Sequence, residues 1–99
     1  MRERNVIFAP EAAEDLINLY DWIAQGASPA VAMGYVDRVE AFCQKLRVGS
    51  ERGHLRNDIR SGLRIVGFER RLTIAFMVDN ESVIILRIFS AGRNWETTF

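Results

Sequence analysis

The spacing of apolar residues changes once along this 99-residue chain, from steps of three and four to steps of two. No other feature limits the fold as much. Ala13, Leu16, Ile17, Tyr20, Ile23 and Ala24 recur at helical intervals, and Leu19 and Trp22 widen that stripe to one side. Ala32, Tyr35, Val36, Val39, Phe42, Cys43 and Leu46 repeat the pattern. Then the period becomes that of a strand. Leu63, Ile65 and Gly67 alternate with Arg64 and Val66, and Leu72, Ile74, Phe76 and Val78 alternate with Thr73, Ala75 and Met77. Val83 to Phe89 is almost continuously apolar, which predicts a strand covered on both faces. Helices first and strands afterwards predict an α+β fold.

The residues between these runs punctuate them. Asn5-Val6-Ile7-Phe8 reads as a short strand stopped by Pro10, which suits the first turn of a helix. Glu11, Glu14 and Asp15 follow near the positive end of that helix's dipole. Gly26 is expected as a left-handed stop, with Ser28 as N-cap and Pro29 as first residue of a second helix closed by Gly49. The helices are expected near residues 10–26 and 28–48, joined closely enough to lie antiparallel. Residues 50–61 read as a polar connection. Glu69-Arg70-Arg71 and Asp79-Asn80-Glu81-Ser82 read as turns, so the last three strands form an antiparallel meander. The expected architecture is β-α-α-β-β-β, a helix hairpin packed on an antiparallel sheet, in one domain over residues 1–99.

Composition narrows the function classes. The chain is 48% hydrophobic and 26% charged, as a folded soluble domain is, and no apolar run approaches the roughly 20 residues that span a bilayer. No signal-peptide pattern follows the charged N-terminus, so a cytoplasmic location without membrane partners is expected. Cys43 is the single cysteine, which forbids an intrachain disulfide, and its place on an apolar helical face marks it as a packing residue. One His and one Cys build no metal site of familiar spacing, and no cofactor is expected. Thirteen cations, twelve of them Arg, balance thirteen acids. Residues 1–50 carry five basic and seven acidic groups, and residues 51–99 eight and six, so the second half has an excess of only two. Strong direct nucleic-acid binding needs more than that.

Several phrases, in order, resemble the ParE branch of the RelE/ParE toxin superfamily, whose members include plasmid stabilisation proteins. These are Phe8-Ala9-Pro10-Glu11-Ala12 leading into Asp15-Leu16, then Tyr20-Asp21-Trp22-Ile23-Ala24, then Ser28-Pro29 with Ala32 and Tyr35-Val36. Gly53 with Arg56-Asn57-Asp58-Ile59, Gly62-Leu63-Arg64, Phe68 to Phe76 and Ile85-Leu86-Arg87-Ile88 complete the match. The resemblance implies the toxin of a type II toxin–antitoxin pair, neutralised by a ParD-like antitoxin whose extended C-terminal part wraps it. The target it implies is DNA gyrase, poisoned by protein binding.

The RelE branch, which cuts messenger RNA on the ribosome, is the alternative, together with a homologue that has lost toxicity. Cleavage beside a 2′-hydroxyl requires a group that exchanges protons. After Tyr35 the only His or Tyr is His54, in the polar connection, and Arg is a poor general base. The reading therefore leans away from an enzyme and assigns no catalytic residue. Arg64, Arg87, Arg93 and Trp95 are the candidate target-binding residues. Leu19, Trp22, Arg70 and Arg71 are the candidates for the antitoxin, which should offer apolar side chains and acidic groups.

Overall fold

A strand that runs straight into Pro10 must end there, and the computed structural model, which describes residues 3–99, shows β1 at Asn5–Phe8 followed by α1 at Pro10–Gly26. Met1 and Arg2, part of the charged N-terminus, lie outside the described residues. Helix α2 spans Pro29–Gln44, with Ser28 Oγ accepting the Val31 N–H at 3.1 Å as a side-chain cap, and a 3-10 turn at Lys45–Arg47 completes it. Gly26 does not act as expected. It stays within α1 and is not among the residues at positive φ, so Ser28-Pro29 ends the helix by starting the next. Gly49, at φ +68°, does take the left-handed conformation after the 3-10 turn.

Strands β3 (Arg64–Phe68), β4 (Leu72–Val78) and β5 (Ser82–Ser90) form the antiparallel meander. Two features extend the expected sheet. Strand β1 adds to β5 in parallel, so the sheet is mixed, and His54–Leu55 in the polar connection forms a two-residue strand, β2, beside β3. The order is β1-β5-β4-β3-β2, which makes β5 an interior strand as its apolar run predicts. Gly53 permits the β2 approach: it sits at φ +74°, and a Cβ there would lie 2.2 Å from the Ile65 carbonyl oxygen.

The core has two parts, one on each face of the sheet. Ala12, Leu16, Val39, Cys43 and Leu46 of the hairpin pack with Ile74, Phe76, Val83, Ile85 and Ile88. On the other face Leu63, Ile65, Ala75 and Phe89 are buried beneath Ile59, Leu86, Trp95 and Phe99. A bulge in β5 makes this possible. Ala75 pairs with Arg87 and Phe76 with Ile85, so Leu86 is extra and the alternation of faces resets there. The hairpin's contact face on α1 is Ala12-Leu16-Leu19-Tyr20-Ile23, rotated from the expected stripe, and Ile17 is exposed. Burial of Cys43 pushes its thiol up to about 12, as befits a packing residue.

Candidate functional site

Leu19, Trp22, Arg70 and Arg71 are far apart in sequence, yet they line one open groove. Its walls are the C-terminal half of α1, the start of α2, the β3–β4 turn and the end of β5 at Ser90-Ala91. Short connections bring them together. The α1–α2 link is two residues long, and Ala91 N–H donates to the Arg71 carbonyl at 2.7 Å, which ties the end of β5 to the turn. Trp22 is 75% exposed at the rim, a large apolar area left in water, so it belongs to the helix edge and not to the core.

The groove is apolar in its walls and cationic at one end. Arg38, Arg70 and Arg71 face it with Glu69 as the single acid, and Arg38 and Glu69 form a two-pronged ion pair at 3.1 and 3.2 Å. That hydrogen bond holds the Glu69 carboxyl below its ordinary range and the Arg38 guanidinium more firmly protonated. Arg70 and Arg71 make no ion pair among the described residues. Glu69 and Arg70 sit at φ +50° and +58°, left-handed conformations that favour Asn and Gly, so the turn is strained where it borders the groove.

Tyr35 lies between hairpin and turn, 8% exposed, with its ring edge-on to Phe68 at 6.0 Å and the Arg38 guanidinium over it at 4.9 Å. Its hydroxyl is buried without a hydrogen-bond partner. Such a group is costly, about 1–3 kcal/mol when nothing accepts or donates. Burial first, and the Glu69 charge second, raise its pKa. Sequence reasoning placed Tyr35 as packing and passed over Arg38 and Glu69. The three-residue step from Tyr35 to Arg38 was visible, but Glu69 meets them only through space.

The four residues expected at the target do not form one cluster. Arg87 is committed internally: its guanidinium grips the Asp15 carboxylate at 2.8 and 3.0 Å, with side chains 20% and 11% exposed. The same carboxylate accepts the Ile88 N–H at 2.9 Å. Strand β1 stops opposite Ile85, which leaves the next stretch of β5 without a strand on that side, and Asp15 closes that edge from α1. The expectation that Arg87 presents its charge to a target therefore gives way to an internal role, since a paired, half-buried guanidinium has little to offer. Arg93 is exposed and lies 5.5 Å over the Phe89 ring. Arg64 is half-buried on β3, donating weakly to the Arg52 carbonyl at 3.4 Å. Trp95 is half-buried on the far face, under the Arg56 guanidinium at 5.3 Å. Among the described residues no group of His, Cys, Asp and Glu is placed to hold a metal ion, and no helix is long and apolar enough to cross a membrane.

Comparison with known proteins adds a family. Residues 6–95 match the family described as ParE toxin of type II toxin-antitoxin system, parDE. No curated protein matches. Among solved structures the chain is similar to one titled "Chromosomal ParDE TA system from P. aeruginosa", with 23% identity and a TM-score of 0.78 over 90% of this chain and 97% of that one. That likeness is one of fold.

Proposed function

Because this chain belongs to the ParE toxin family of type II toxin–antitoxin systems, we propose that its groove is where a ParD-like antitoxin neutralises it. The observation that carries this is the gathering of Leu19, Trp22, Arg70 and Arg71 in one open groove. An amphipathic segment would lay apolar side chains along Leu19 and Trp22 and set acidic ones against Arg70 and Arg71. Such a segment is disordered alone and orders on binding. Co-expression with the antitoxin encoded beside this gene, followed by size exclusion at micromolar concentration, tests it. Co-migration is expected, and separate elution refutes it.

The toxic action is protein binding that poisons DNA gyrase. Charge recognition without proton transfer supports this over ribonuclease chemistry: Arg93 offers an exposed guanidinium, with Arg64 and Trp95 as further contributors, and Arg87 supports β5 from within. Purified toxin should block supercoiling of relaxed plasmid by purified gyrase. Unimpaired supercoiling with mRNA cuts on ribosomes would transfer the chain to the nuclease branch. Neither effect would mark a homologue that binds antitoxin without being toxic.

A further inference from the structure

The aromatic ring of Tyr35 has a full set of neighbours, and its hydroxyl is buried with no hydrogen-bond partner. Edge contact with Phe68 and stacking under Arg38 would be served equally by Phe. The oxygen is the one part of the side chain that the folded chain does not use, and Tyr35 lines the groove. A phenol buried beside a groove is a donor that lacks an acceptor. Glu69 acts on the Tyr35 hydroxyl through its charge but accepts no hydrogen bond from it, its two carboxylate oxygens being turned to Arg38. Glu69 is kept there by a turn in which it and Arg70 are both left-handed.

Resting on the reading of the groove as the antitoxin's seat, we propose that the Tyr35 hydroxyl is a hydrogen-bond anchor for one carboxylate of the antitoxin segment, and that the Arg38–Glu69 ion pair is a latch this carboxylate displaces. The latch is 55% and 41% exposed at the side chains, so solvent screens it and its opening is cheap. Arg38 exchanges one carboxylate for another. The incoming one also accepts from Tyr35, a bond Glu69 does not make. Arg70 and Arg71, without acidic partners of their own, draw the acidic segment to this end and receive the released Glu69. The occupant is thus a segment with an acidic side chain beside its apolar ones.

Titration calorimetry with the full-length antitoxin encoded beside the gene tests this. Tyr35→Phe should keep or raise the melting temperature and weaken binding about tenfold, the loss of a hydrogen bond to a charged acceptor. Glu69→Gln, at the exposed rim, should tighten binding by removing the internal competitor. Unchanged affinity in a folded Tyr35→Phe, or weaker binding in Glu69→Gln, overturns the proposal. Trp22→Ala separates this from the parent reading. If it weakens binding and Tyr35→Phe does not, the groove stands and the anchor falls; if it too has no effect, the groove is not the antitoxin's seat.

Discussion

The two faces at the end of the sheet carry the same kinds of residue and treat them in opposite ways. On the face away from the helices, apolar Leu63, Ile65 and Phe89 are covered by Trp95 and Phe99 of the chain's own tail. There Arg56 stacks on Trp95 and binds both Asp58 and Glu96 at 2.9 Å, so every partner is supplied in cis. In the groove, Trp22 and Leu19 line an open wall, Arg70 and Arg71 have no ion-pair partner among the described residues, and the Tyr35 hydroxyl has no acceptor. The difference is completion. An aromatic and an arginine flanked by acids make a closed surface, and the same kinds of residue without them leave an open one.

The joint between the regions should show the largest effect. Asp15→Ala leaves Arg87 unpaired and the Ile88 N–H open, and should cost about 3 kcal/mol in urea unfolding. Because both regions hang on β5, antitoxin binding and tail packing should weaken together. Next come the two tryptophans, exchanged for Ala. Trp22→Ala should weaken antitoxin binding about a hundredfold with stability changed by less than about 0.5 kcal/mol. Trp95→Ala should lose about 2 kcal/mol of stability and keep antitoxin affinity. If the two variants failed to cross over, the faces would not differ as described.

Acid provides a milder probe. The hydrogen bond from Arg56 holds the Asp58 carboxyl below the ordinary range in the folded state. A depressed folded pKa means this stabilisation is present above about pH 4 and lost as pH falls through the depressed value. The emission of Trp95 in a Trp22→Phe background should therefore shift in that acid window and stay constant from pH 5 to 8, and the ion pair at the groove, with Glu69 likewise depressed, should loosen in the same acid window. The smallest effect belongs to Arg70→Gly. Relief of the left-handed strain at φ +58°, offset by glycine's entropy, should stabilise the fold by about 0.5 kcal/mol, while removing a groove charge weakens binding.

Much of this was legible without coordinates. Pro10, Ser28-Pro29 and the change of period located both helices and the meander, because capping and periodicity are local properties written in neighbouring residues. An over-wide stripe and an arginine-rich turn single out Leu19, Trp22, Arg70 and Arg71 in the sequence, but that the four share one groove is a fact of the fold. What escaped depends on residues distant in the chain. His54–Leu55 is too short to have a period and is a strand only because Gly53 lets it reach β3. The β5 bulge is hidden in a run that is apolar except for Arg87, and pairing alone decides which residues face the helices. Arg87 looked like a free cation until Asp15, 72 residues away, met it at the edge that β1 leaves open. The chain by itself thus determined both helices, β1 and the three strands of the meander, but not β2. Only the tertiary structure decided which arginines are already satisfied and which polar atoms still lack a partner, because charge pairing is settled by distance in space and not by order along the chain.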